Sequence, residues 1–341
     1  MRKWIAIAVA VFGLALTVAA CGDEEETSGA ASGGGGGGEQ SLRVAFASQP
    51  DYTQVMNFKW LDDLEATGVK VEPSFFESSQ DAFRAMIAGE ADIAVAGIVS
   101  AVQLVQETGE AVKVIAVDLQ APDYLLMGTP DMNSLSDMEG QRIGISTPGD
   151  ISDTLTRVVL RREGVDVDKV RFVEIGGTSA RMAALQSEQI QGGAAHAAEG
   201  LAAAEQGLKN LFAYGQSVPD YAQHGIIVSD QWLNDNREFA QEIVDGFIDS
   251  VRWADENKAE YVELSKEKVE GLSDTAREQA YEIFKDINMF ALNGGMEPKV
   301  LDNTIAIEKE VGTLGDDAPP VEEWADSSLV EDYLQREGEK P

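Results

Sequence analysis

The chain has 341 residues, 44% of them hydrophobic, with 26 Lys and Arg against 60 Asp and Glu, a formal net charge of −34, two histidines and one cysteine. That charge repels nucleic acid and anionic lipid, the single cysteine leaves no intrachain disulfide, and two histidines without H-x-x-H spacing give no histidine cluster for a metal. The length is enough for two lobes, and an acidic surface keeps such a chain in solution.

In chain order the first element is a leader. Arg2 and Lys3 precede the uncharged run WIAIAVAVFGLALTVAA, residues 4–20, which has the layout of a secretory signal peptide. A retained transmembrane helix is the rival reading, but the run is barely long enough to span a bilayer and ends at Cys21. VAAC, residues 18–21, resembles the bacterial lipobox, and the resemblance implies cleavage before Cys21 and acylation of that residue. Acylation gives the lone thiol a use, and several acyl chains anchor stably where one does not. Loss of residues 1–20 removes Arg2 and Lys3 and no acid, taking the charge from −34 to −36. GDEEETSGAASGGGGGGEQ, residues 22–40, cannot build a core and reads as a flexible tether. The expected layout is therefore signal peptide 1–20, lipidated cysteine and tether 21–41, and a folded body from Leu42.

In the body, strand-like and helix-like patterns alternate. LRVAFA is a strand and YTQVMNFKWLDDLEATG a helix ending at Gly68; VKVEPSFF alternates again. SQDAFRAMIAGE is a short helix that Ser79 caps and Gly89 ends. ADIAVAG, IVSAVQLVQETGE and VKVIAVDLQ continue as strand, helix and strand. A second series runs through DYLLMGTP, RIGIS, the helix after TPGD, VRFVEIG, TSARMAALQSEQ, IQGGAA, AEGLAAAEQGL and HGIIVSD. Beyond Gln231 the chain is mostly helical. Two such series predict an α/β fold with largely parallel sheets in two lobes, the helical tail packing back on one of them.

Several segments resemble the substrate-binding proteins of ABC importers, in the group that binds sulfonates, taurine, nitrate and thiamine precursors. They are FRAMIAGEADIAVAG, LSDMEGQRIGISTPGD, VRFVEIGGTSARMAALQSEQIQGG and VEEWADSSLVEDYL, in that order. The resemblance covers nearly all of the chain beyond the tether. It implies a two-lobed periplasmic-binding-protein-like fold with lobes joined by two crossing strands, placed near Leu119–Met127 and Tyr214–Val228. Lobe 1 is then 42–121 plus 222–341, and lobe 2 is 122–221. It further implies a monomer without cofactor, held by its lipid anchor on the extracytoplasmic face of a membrane, that closes on a small solute and delivers it to a permease.

In open α/β sheets ligands lie beyond the carboxyl ends of strands, which selects five loops. Ser48, Gln49, Asp51 and Tyr52 follow the first strand; Asp51 caps the next helix, contacts ligand, or does both. Gly97 permits close backbone approach, and Ile98 opens a helix with free N–H groups. Thr147, Gly149, Asp150 and Ser152 form a third loop, where Asp150 is either a cap or an inward acid that disfavours a bare anion. Asp51 and Asp150 together suit a ligand with an amine or other hydrogen-bond donors, such as taurine or an aminopyrimidine. His196 ends the strand IQGGAA, where Gly192 and Gly193 pack closely; Tyr221 and His224 precede the returning strand, and Tyr124 lies in the first crossing. A lone histidine is ordinarily structural, but a ligand contact through His196 predicts binding that changes between about pH 5 and 8.

Other classes fit less well. There is no G-x-S-x-G elbow, and an Asp51–Asp150 acid pair is a guess among many acids. A receptor that senses ligand without transport remains open as the alternative to import.

Overall fold

The computed structural model describes residues 40–341. The expected signal peptide, the lipidated Cys21 and all of the tether before residue 40 lie outside the described residues.

Ten strands form two five-stranded sheets. The first holds β1 (Ser41–Phe46), β2 (Lys70–Phe75), β3 (Ile93–Gly97), β4 (Val112–Leu119) and β10 (His224–Ser229), in the order β2-β1-β3-β10-β4. The second holds β5 (Tyr124–Gly128), β6 (Arg142–Ile145), β7 (Arg171–Glu174), β8 (Gly192–His196) and β9 (Lys209–Ala213), in the order β7-β6-β8-β5-β9. Each sheet has one reversed strand: β10 is antiparallel to β3 and β4, and β5 to β8 and β9. The sheets are therefore mixed, where the alternating pattern predicts largely parallel ones. The reason is the connection length. From β4 the chain reaches β5 through residues 120–123 alone, too short to travel to the far end of the second sheet. It enters at the near end of the strands, between β8 and β9, and runs the opposite way to both. The second passage, residues 214–223, runs through a 3-10 turn at Tyr214–Gln216 and returns the chain to the first sheet as β10.

The expected crossing strands are thus two irregular connections between strand ends. They lie side by side: the Tyr221 N–H donates to Gln120 O and the Gln223 N–H to Leu119 O, both at 2.8 Å.

Local chemistry explains most helices. Ser78, not Ser79, caps α2 (Ser79–Ile87) by accepting from Asp81 N at 3.2 Å; Ser79 sits one position inside and accepts from Gly97 N. Helix α1 (Val55–Ala66) begins after a 3-10 turn, and α3 (Ile98–Thr108) ends at Gly109, whose φ of +70 suits glycine. In the second sheet's layer lie α4 (Ile151–Arg162), α5 (Thr178–Gln186) and α6 (Ala197–Glu205). Gly192 in β8 is closely packed: a Cβ there would meet the tips of the Ile143 and Met138 side chains at 2.8 Å, and they would have to shift.

The tail comprises α7 (Asp230–Asp235), α8 (Arg237–Glu256), α9 (Lys258–Lys268), α10 (Asp274–Asp286), α11 (Pro298–Val311), α12 (Val321–Trp324) and α13 (Ser328–Glu337). Helix α8 packs on α1 and β4, and α13 on α8. Helix α10, however, packs on α6, and α11 touches both α3 and α4, so the tail reaches both layers instead of one. The bridge is a buried aromatic cluster in which Tyr52 of the first layer meets Tyr261 at 5.3 Å, edge to face, and Phe284 at 5.6 Å.

Candidate ligand-binding cleft

The carboxyl ends of β1, β3, β6, β7 and β8 converge on one cleft of about 980 Å³, whose walls come from both sheets. From the first sheet's side Ser48, Gln49, Asp51 and Gly97 line it, and from the second Thr147, Gly149, Asp150 and His196. Tyr124, Tyr221 and His224 line it beside the two connections. Three expected site residues are elsewhere. Tyr52 is fully buried, because the 3-10 turn that follows Asp51 rotates it toward the tail, where its hydroxyl donates to Arg277 O at 2.7 Å. Ile98, as the first residue of α3, drops into the core of the first sheet. Ser152 is an internal strut: its hydroxyl donates to Asp150 Oδ1 at 2.8 Å and accepts from Ser146 N at 2.8 Å.

Both acids of the expected site are caps that also face the cleft. Asp51 accepts from Thr53 N at 2.8 Å, and Asp150 accepts from Ser152 N at 3.0 Å and Asp153 N at 3.2 Å. Burial raises the Asp150 pKa above the ordinary carboxyl value, against the opposing pull of those hydrogen bonds.

His196 is tied to a second acid, Asp123 in the first connection. Its Nδ1 lies 2.9 Å from Asp123 Oδ1, and the same carboxylate accepts from Ala197 N at 3.1 Å. The Asp123 side chain is fully buried and that of His196 is 12% exposed. Burial alone pulls the imidazole pKa down, but the charge and hydrogen bond of Asp123 outweigh it, helped by Asp51 and Glu199, and lift it to about 9. In the same pair burial pushes Asp123 up while the imidazolium pulls it down further, so it ends below the usual carboxylate range. The pair is an imidazolium and a carboxylate, with Nδ1–H as donor. Nε2 has no partner among the described residues. The ring lies against Tyr124 with centroids 4.4 Å apart. His224 differs: burial lowers its pKa, against the pull of the nearby Asp118.

Arg181, Glu199, Gln223 and Glu308 are among the cleft residues that escaped the sequence reading. Arg181 of α5 is 2% exposed, and its guanidinium donates to three neutral oxygens: Ala194 O at 2.8 Å, Thr178 Oγ1 at 3.1 Å and Gly176 O. Burial lowers its pKa while the Asp150 charge opposes the shift. Glu199 of α6 and Glu308 of α11 are both pushed by burial to about 7. Glu308 Oε1 accepts from the Tyr221 hydroxyl at 2.6 Å. Gln223 closes the second connection. Arg181 and Glu199 look in sequence like exposed helix charges, and nothing local marks Glu308, 87 positions from Tyr221. Among the described residues no group of three or more His, Cys, Asp or Glu is arranged to hold a metal ion, and no helix is long and apolar enough to cross a membrane.

Two α/β layers hinged by paired connections around a polar cleft make up a two-lobed fold of the periplasmic-binding-protein type. Solved structures share it. The ligand-binding component of an ABC-type import system from Staphylococcus aureus, with zinc bound, has a TM-score of 0.73 at 17% identity, covering 86% of this chain and 99% of that one. A conserved gene product of Candida albicans, described as having the generic periplasmic binding protein fold, has a TM-score of 0.65 at 14% identity, covering 86% and 94%. The periplasmic aliphatic sulphonate binding protein from Escherichia coli has 0.58 at 15%, covering 72% and 83%. No curated protein matches in sequence. The family model described as NMT1/THI5 like matches residues 64–260. The chain belongs to that family.

Proposed function

We propose that this protein is the extracytoplasmic solute-binding component of an ABC importer. It captures a small polar organic solute, sulfonate- or taurine-like or aminopyrimidine-like, between lobe 1 (42–121 plus 222–341) and lobe 2 (122–221), and hands it to the permease. It acts as a monomer, anchored through a lipidated Cys21. The observation that carries the reading is the cleft itself: polar walls from two sheets meet over a floor of two hydrogen-bonded connections, Gln120–Asp123 and Tyr214–Gln223. Such paired links allow rotation of one layer against the other, and closure over a ligand needs no more. The charges match a solute with both kinds of group. Arg181 and protonated His196 favour an acceptor or anion, while Asp51, Glu199 and Glu308 favour N–H donors. The structural neighbours named above include the ligand-binding component of an import system and a periplasmic sulphonate binding protein, which supports a binder over an enzyme.

The test is a thermal-shift and calorimetry screen of the purified protein against taurine, alkanesulfonates, aminopyrimidines, amino acids and nitrate. A ligand at a hundred times its Kd adds about 2.7 kcal/mol of stability. A member of the first three classes should stabilise the protein with micromolar or tighter Kd; a flat screen, or turnover of a solute into product, overturns the reading. Deletion of the gene should abolish uptake of that solute. Retained uptake with a lost transcriptional response would favour a sensing receptor instead.

A further inference from the structure

Gln223 stands at the end of the second connection, one residue before β10, and is 1% exposed. Its backbone is held on both sides, the N–H donating to Leu119 O at 2.8 Å and the carbonyl accepting from Ile98 N at 3.1 Å. The residue lines the cleft, yet both polar atoms of its side chain, Oε1 and Nε2, are buried without a partner. A buried amide left unpaired loses its hydration with nothing in return, and folded proteins rarely keep one without a use. Here it is carried on a rigid stretch of backbone at the wall of a ligand cavity. Two other cleft atoms share its state, Glu199 Oε2 and Glu308 Oε2.

These atoms discriminate between solute chemistries. A sulfonate head group presents acceptor oxygens alone. It can receive the Gln223 Nε2 donor but leaves Oε1 unpaired and faces two carboxyl oxygens. Taurine carries its donor and its acceptors on separate groups joined by a rotatable two-carbon chain, so pairing both with one amide means freezing that chain in one rotamer. An edge with an N–H beside an acceptor atom matches Gln223 in both places at once, and further N–H groups match the carboxyls.

We propose that Gln223 is the specificity-determining residue of the cleft, reading a ligand edge that carries an N–H donor next to an acceptor, as in a carboxamide, an amidine or an amino-substituted nitrogen heterocycle. This rests on the solute-binding reading above and narrows it away from sulfonates.

The experiment is calorimetric titration of the full-length protein and of Gln223→Met and Gln223→Glu with 4-aminopyrimidine, nicotinamide, taurine and methanesulfonate, with the ligand-free Tm recorded for each. Methionine keeps the volume of glutamine and removes both unpaired atoms, so the ligand-free Tm should hold or rise. Glutamate keeps the shape and loses the amide donor. The expected result is binding of 4-aminopyrimidine or nicotinamide to the parent protein, weakened about 10- to 100-fold in both variants. Binding of taurine or methanesulfonate with an affinity that neither substitution alters overturns this inference and leaves the solute-binding reading intact. So does a Gln223→Met protein with a lowered ligand-free Tm and unchanged affinity for the heterocycle, which marks a structural glutamine. Binding of none of the four, together with a flat wider screen, overturns the solute-binding reading and this inference with it.

Discussion

The imidazole of His196 answers to Asp123 before it answers to any ligand. Because its pKa lies near 9, its charge does not change between pH 5 and 8, and the expectation that binding follows its titration in that range gives way. The group whose pKa rises on folding from 6.5 to about 9 contributes stability that is complete below 6.5 and lost as pH climbs through 9. Melting temperature should therefore fall as pH rises from about 6.5 to about 9, and His196→Gln should flatten that slope; an unchanged slope in the variant would sink the assignment. The pH response near neutrality belongs to Glu199 and Glu308. Burial raises both from 4.5 to about 7, so their neutral forms stabilise the fold below 4.5 and that contribution is lost as pH rises through 7. Ionised, they attract N–H donors, so affinity for such a solute should rise across pH 7, and Glu199→Gln should reduce the change. Tyr52 now predicts a different outcome from a wall residue. Tyr52→Ala empties a core site among Tyr261 and Phe284 and should cost about 3–5 kcal/mol of stability, read by chemical denaturation, without altering the affinity of the protein that remains folded.

Among the elements, α11 has the most to hold. Along one face Asn303 Nδ2 donates to Pro219 O and Asp220 O, Thr304 Oγ1 accepts from Ala222 N at 2.8 Å, and Glu308 accepts from Tyr221. The helix thus fastens residues 219–222 of the second connection, a stretch that includes Asp220 at a φ of +53. At its far end Thr313 meets Thr154 of α4 at 3.2 Å. Thr304→Val keeps the volume but leaves the buried Ala222 N–H unpaired. The expected loss is about 1–3 kcal/mol, with faster amide exchange at Ala222 while β1 and β3 keep their protection. Loss of protection spread evenly over both sheets would contradict a local clamp. Helix spans and the Asp51 and Asp150 caps could be read from sequence because they depend on neighbours within about four residues. The tail's placement could not, since α10 and α11 find partners in α6 and α4. Strand β9 went unread because KNLFA has no apolar alternation and holds only an edge, beside β5.

For the molecule as one body, the two connections set what motion is available. If the layers close over solute, small-angle scattering should show a smaller radius of gyration at saturating ligand, and an unchanged value would argue for a rigid cleft. Replacement of Cys21 by alanine should move the protein from the membrane fraction to the supernatant. By itself the sequence determined the alternation of strands and helices, the two-series order that resembles a binding protein, and the loops at strand ends that reach the cleft. These follow from periodicity and from turn and cap residues, which act over short stretches of chain. Tertiary structure alone decided that β5 and β10 run backwards, that Tyr52 and Ile98 turn into the core, and that His196 is charged. It also brought Arg181, Glu199, Gln223 and Glu308 to one cavity. The physical reason is that burial, pairing and pKa are properties of what lies opposite a side chain, and here the opposite residue is often far off in sequence: Asp123 is 73 positions from His196, and Glu308 is 87 from Tyr221.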